Sequence, residues 1–116
     1  MKHRMKHWLV AAAAFAGLLT TTPALAQSCP ADVSDLRSQI QEPQLQDRLY
    51  EPLDTIISET GGLDAAIAEW QQRLSEAQAD RAALSPDSSA GLTRAFDELV
   101  LILSHQLDGL RCRASS

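Results

Sequence analysis

Apolar side chains recur at helical spacing in four stretches between positions 29 and 116, and these stretches are separated by Pro, Gly and Ser. None of the stretches alternates strictly between apolar and polar residues, as a half-buried strand would. The pattern therefore predicts an all-α protein. The seam positions are, in chain order, Val33, Leu36 and Ile40; Leu45, Leu49, Leu53 and Ile56; Leu63, Ile67, Trp70, Leu74, Ala77, Arg81 and Leu84; and Leu92, Phe96, Leu99, Leu103, Leu107 and Leu110.

Prolines and glycines mark the ends of the predicted helices. The helical phase breaks at Pro43, because the next apolar residue, Leu45, lies five positions after Ile40. Pro52 interrupts the second stretch, so we expect a kink or a new helix start there. Gly61-Gly62 is expected to end that stretch, since glycine is favoured just after a helix.

The third and fourth stretches are similar in length and are joined by a short segment around Ser85-Pro86-Asp87. Two helices connected in this way are expected to pack as an antiparallel hairpin. Trp70 and Phe96 fall on the inward seams, which favours a role in the core over ligand stacking.

The two cysteines, Cys29 and Cys112, lie at opposite ends of this region, and we expect them to form one disulfide. Intermolecular pairing and a reactive thiol are the alternatives. A chain reversal at Glu42-Pro43 gives a small up-down-up-down four-helix bundle, which brings both termini to one end. The alternative is a three-helix bundle with a long kinked first helix over residues 32–60. It would separate the cysteines by roughly 30 Å, whereas a disulfide needs Cα atoms within about 7 Å.

The first 26 residues have the pattern of a bacterial export signal. A basic head is followed by an apolar run over residues 8–19, and Ala24-Leu25-Ala26 matches the A-x-A cleavage pattern. The run is shorter than the roughly 20 residues that span a membrane. We therefore predict a cleaved signal peptide over residues 1–26 and a single helical domain over residues 27–116, periplasmic or secreted. Acylation at Cys29 is disfavoured, because Gln27 departs from the lipoprotein pattern.

Charge narrows the classes of partner. The predicted exported chain keeps seven arginines, no lysine and all fifteen acidic residues. Such a surface repels nucleic acid and anionic lipid headgroups, and it attracts a basic protein. We therefore expect a protein partner, no nucleic acid, and no stable membrane anchor after cleavage.

Metal and nucleophile chemistry have little support in the sequence. The exported chain has one histidine, His105, which lies one helical turn from Asp108, and a closed metal site needs about four ligands. There is no CxxCH motif for haem and no G-x-S-x-G nucleophile turn. Glycine is too sparse for a phosphate-binding loop. We expect no metal, no cofactor and no catalytic residue.

The segment Leu99-Val100-Leu101-Ile102-Leu103 is apolar all round, which is unusual for a surface helix. If Leu99 and Leu103 face the core, Leu101 points outward among charged residues. An exposed leucine ringed by charge predicts a small protein contact, although single exposed leucines are also ordinary. The candidate contact residues are Leu101, Asp97, Glu98, His105 and Asp108.

We therefore predict a non-catalytic envelope protein that binds another protein. A sharper hypothesis is an immunity or inhibitor protein whose acidic charge steers it to a basic enzyme. The alternative from a different class is a small-molecule binder or enzyme with an arginine-lined pocket. That alternative requires several arginines to converge inside one cavity, and the candidates are Arg37, Arg48, Arg73 and Arg94.

One short segment has a family resemblance that bears on this alternative. Asp35-Leu36-Arg37-Ser38-Gln39-Ile40 resembles the start of the first helix of the secreted all-helical chorismate mutases. The resemblance implies a dianionic substrate held by helix-borne arginines. The exported chain lacks the lysine on which that family relies, and Pro43 interrupts the long first helix.

Overall fold

The structure is a computed structural model that describes residues 28–116, and all regular secondary structure in that range is helical. A 3-10 helix spans Ser34–Gln39. Four α-helices follow, named here α1 Pro43–Leu49, α2 Leu53–Thr60, α3 Leu63–Ala82 and α4 Ala90–Ala114. The all-α helical bundle is confirmed. The predicted signal peptide, residues 1–26, lies outside the described residues.

Prolines divide the N-terminal half of the domain into short helices. Pro43 is the first residue of α1, and extended Glu42 precedes it. Pro52 is also extended and caps α2, so the chain starts a new helix there. The stretch 32–60 is thus broken twice, and the alternative with one long first helix is wrong. The first predicted stretch is a 3-10 helix, whose apolar residues are nevertheless buried.

The helix ends that flank α3 have clear chemical causes. Gly61 adopts a left-handed conformation with φ of 96°, and the Gly62 N–H donates to the Ile57 carbonyl at 2.9 Å. This glycine end is the one predicted from the sequence. At the start of α4, the Ser89 hydroxyl accepts a hydrogen bond from the Leu92 N–H at 3.1 Å.

Helices α3 and α4 form the predicted antiparallel hairpin. Arg81, at the end of α3, pairs with Asp97 near the start of α4. In the middle of the hairpin, the buried Trp70 Nε1 donates to Gln106 Oε1 at 2.7 Å. Helix α2 packs on the hairpin and completes its core. The buried residues of this core are Leu53, Ile56, Ala66, Trp70, Ala77, Leu103, Leu107 and Leu110.

A second apolar cluster lies against another side of α4. The 3-10 helix and the residues that flank it supply most of this cluster, α1 adds Leu49, and Ile102 is its buried residue from α4. Helix α4 therefore packs on two sides, with the hairpin core on one and the N-terminal segments on the other. The buried residues of this cluster are Val33, Leu36, Ile40, Leu49 and Ile102.

The N-terminal segments are tied to the helices covalently and by backbone hydrogen bonds. Cys29 and Cys112 form the predicted disulfide within one chain, with Cα atoms 5.7 Å apart. The Leu53 N–H donates to the Ala31 carbonyl at 2.8 Å. Arg113 donates to the Pro30 carbonyl at 2.9 Å. No helix in residues 28–116 combines the length and hydropathy that crossing a membrane requires.

Gly109 lets α4 approach α2 closely, and this contact gives a stability prediction. An alanine Cβ at position 109 would collide with Leu53 Cδ1 and lie 3.5 Å from Pro30 Cγ. We expect Gly109→Ala to lower the free energy of unfolding by about 1–3 kcal/mol in denaturant titration. Gly91→Ala, on the same helix with nothing within 4 Å, is the control. It should be neutral or stabilising by up to about 1 kcal/mol. Equal effects at the two glycines would contradict the close contact.

Candidate functional site

The predicted partner face on α4 is only partly exposed. Leu101, its predicted centre, is half-buried and packs against the cluster of Val33 and Ile102. The prediction that Leu101 points outward is therefore wrong. The N-terminal segments cover this side of α4. The sequence prediction oriented α4 only by the seam that faces α3, so it took no account of these segments.

Glu98 is also misplaced in the sequence prediction, since it is only 6% exposed. Its carboxylate accepts hydrogen bonds from the Gln41 N–H at 3.0 Å and the Glu42 N–H at 2.9 Å. Arg94 Nε lies 3.8 Å from the same carboxylate. Glu98 thus satisfies backbone donors at the start of α1, where negative charge is favoured. Its role in the structure is to hold α1 against α4.

The other three candidate contact residues are exposed but do not form one patch. Asp97 pairs with Arg81 Nε at 2.7 Å near the hairpin loop. His105 and Asp108 lie further along α4, where they line a shallow cavity of about 180 Å³ together with Asp32 and Asp35. Val33 and Leu36 also line this acidic cavity.

The acidic cavity does not assemble a metal centre. Within residues 28–116, no three His, Cys, Asp or Glu side chains are grouped so that they could hold a metal ion. Asp32 is engaged locally, because its carboxylate accepts from the Ser34 N–H at 3.0 Å and the Ser34 hydroxyl at 2.8 Å. That local pairing orders the turn into the 3-10 helix.

The four arginines named for a small-molecule pocket do not converge. Arg48 and Arg73 line a shallow pocket of about 190 Å³, but Glu76 and Asp80 line it too. Arg73 is held by Glu69 and stacks over the Trp70 ring, with Cζ 4.3 Å from the centroid. Arg37 and Arg94 line no part of this pocket, so it offers a dianion no excess of positive charge.

An open apolar groove between the starts of α1 and α4 is the surface that sequence reasoning missed. We call it the α1–α4 groove, and its volume is about 530 Å³. Leu92, which lies on the predicted seam, is 44% exposed, and Phe96, which was predicted to be a core residue, is half-buried. Glu42 lies at its edge. The apolar side chains that line it are Leu45, Leu92, Ala95, Phe96 and Leu99.

The position of the turn into α1 explains why the groove stays open. The chain enters α1 beside Glu98, whose carboxylate accepts from the Gln41 and Glu42 N–H groups. Helix α1 then runs toward Gln106. The N-terminal segments therefore leave the first turns of α4 uncovered. The sequence contained one signal for this, namely Pro43, which breaks the helical phase and starts α1. Comparison with protein-family models, curated proteins and solved structures finds no match to this chain.

Proposed function

We propose that this protein is an exported, non-catalytic helical domain that acts by binding another protein of the cell envelope. The observation that carries the proposal is the α1–α4 groove. It exposes Leu92 and part of Phe96 on a surface that is otherwise rich in acidic residues. Contiguous exposed apolar surface rimmed by polar residues is typical of protein interaction sites.

Charge supports a basic partner. Residues 28–116 contain fifteen acidic side chains and seven arginines, with no lysine. Asp35 and Asp108 lie exposed at the acidic cavity and make no ion pair within the described residues. Such a surface accelerates encounter with a basic protein. Inhibition of a basic envelope enzyme, as by an immunity protein, is the sharper form of the proposal.

Export is supported by the signal-like pattern of residues 1–26 and by the disulfide. The basic head, the apolar run and the Ala24-Leu25-Ala26 site together favour cleavage before Gln27. A disulfide between Cys29 and Cys112 is compatible with an oxidising compartment such as the periplasm.

Affinity capture from a periplasmic extract tests the proposal, using wild type, Leu92→Gln and Tyr50→Gln as baits. Tyr50 is 51% exposed and lies outside the groove, so Tyr50→Gln is a matched loss of exposed apolar surface. We expect one protein, identified by mass spectrometry, to be retained by wild type and Tyr50→Gln. Leu92→Gln should retain at least tenfold less of it, equivalent to about 1.4 kcal/mol.

Neither substitution should change the melting temperature appreciably, because exposed sites tolerate polar residues. Retention of the same proteins in equal amounts by all three baits would contradict the proposed site. The absence of any specifically retained protein would contradict a binding function in the envelope.

A further inference from the structure

We infer that the α1–α4 groove receives an amphipathic helix of the partner that carries lysine or arginine beside its apolar face. This inference rests on the proposed function and adds the chemistry of the bound segment. Three features of the molecule favour such a helix: the shape of the groove, the uncovered part of α4, and the charge at the groove's edge.

The shape of the groove fits a helix. Leu92, Phe96 and Leu99 occupy positions i, i+4 and i+7 of α4, so they lie on one face and extend for about 10 Å. Leu45 of α1 lines the opposite side. A groove with helical walls and an apolar floor is the surface on which amphipathic helices dock. Addition of a strand has no support, since residues 28–116 offer no strand edge.

The rest of α4 shows what the groove lacks. Around Ile102 the N-terminal segments cover α4, whereas Leu92 and Phe96 lie beyond them and remain partly exposed. The apolar stripe of α4 nevertheless continues through Leu92, Phe96 and Leu99 at helical spacing. An additional helix of two to three turns would cover this part of the stripe, as α2 covers Leu103, Leu107 and Leu110 further along α4.

The charge at the groove's edge selects a basic helix. Glu42 lines the groove, and its carboxylate makes no hydrogen bond or ion pair within the described part of the chain. The Glu98 carboxylate is adjacent, since it accepts from the Glu42 N–H at 2.9 Å, and Arg94 offsets one of these two negative charges. A lysine or arginine beside the docked helix would pair with Glu42. A second copy of this acidic chain would be repelled.

A peptide titration tests the inference directly. The probe is a labelled helical peptide of about 18 residues, long enough to hold helix in water, with leucines on one face and lysines beside them. One comparator has glutamate in place of lysine, and another has the same composition with the leucines spread around the helix. The protein is the oxidised chain purified from the periplasm. We expect the lysine-flanked amphipathic peptide to bind at least about tenfold more tightly than either comparator.

Variants then locate the binding site. Leu92→Gln should weaken the lysine-flanked peptide about tenfold, and Tyr50→Gln should leave its affinity unchanged. Glu42→Gln should reduce the preference for lysine over glutamate while preserving the preference for an apolar face. Equal affinities for the three peptides, or an unchanged affinity in Leu92→Gln, would overturn the inference. A homodimer in sedimentation that Leu92→Gln dissociates would overturn it too, because the groove would then bind a second copy.

The peptide experiment tests the chemistry of the groove, and the capture experiment tests the proposed function, so the two results can differ. If the peptide does not discriminate but Leu92→Gln still loses its captured partner, the groove binds something other than a basic helix and the proposed function stands. If the peptide result is as expected but no envelope protein is captured, the groove chemistry is supported and the proposed function fails. Failure of both experiments contradicts both proposals.

Discussion

Replacement of both Cys29 and Cys112 with serine is expected to lower the free energy of unfolding by about 2–5 kcal/mol. The bond joins residues 83 positions apart, so in the unfolded chain it closes a loop that includes almost the whole domain. Chain-entropy arguments give about 4.5 kcal/mol for a loop of this length. A domain of this size has a total stability of only about 5–10 kcal/mol, so the loss is a large fraction of it.

Denaturant unfolding of the oxidised wild type and the double serine variant measures this effect. The dependence of the unfolding free energy on denaturant should be steeper for the variant, because its unfolded chain exposes more surface without the cross-link. A reductant should destabilise the wild type and leave the variant unchanged, which serves as the control. An equal unfolding free energy for the two proteins would show that the bond does not constrain the unfolded chain.

The sequence predicts burial in the N-terminal half better than it predicts the type of helix. Val33, Leu36 and Ile40 are buried as their spacing indicates, but Leu36 lies in a 3-10 helix and the other two flank it on either side. Spacings of three and four residues are compatible with either helix type over so short a segment. The chain breaks, in contrast, could be predicted, because proline removes a backbone donor wherever it occurs.

The second packing surface of α4 could not be predicted from its own periodicity. The hairpin seam places Leu103 and Leu107 inward, which is correct, and it places Glu98 on a solvent face, which is wrong. Glu98 and Ile102 are buried because residues more than 50 positions earlier in the chain fold against them. Amphipathic analysis of one helix assumes a single buried face, and such long-range contacts leave no local signal.

The exposure of the candidate site also depends on long-range contacts, so it could not be predicted from the periodicity of α4. The seam through Leu92 and Phe96 correctly shows that these residues share a face with the hairpin core. A seam does not show where the neighbouring segments turn, so it could not reveal that the N-terminal segments leave Leu92 uncovered. The exposed apolar surface of the α1–α4 groove results from the turn into α1 beside Glu98.

A comparison of two adjacent residues tests the two-sided packing of α4. Ile102 is fully buried among the N-terminal segments, whereas Leu101 is half-buried at the margin of the same cluster. Alanine removes three carbon atoms from either side chain, so the comparison is matched in chemistry. We expect Ile102→Ala to lower the unfolding free energy by about 2–5 kcal/mol, because it leaves a cavity. Leu101→Ala should cost about 1–2 kcal/mol, since its native side chain already contacts solvent.

Denaturant titration of the two variants under identical conditions gives the difference directly. Leu103→Ala is a useful third variant, because Leu103 is buried in the hairpin core. Its replacement should destabilise the fold whether or not the N-terminal segments pack on α4. A large loss for Leu103→Ala with only a small loss for Ile102→Ala would show that the N-terminal segments do not cover α4. In that case Leu101 would again be a candidate for the exposed centre of a partner contact, and the walls of the α1–α4 groove would have to be assigned differently.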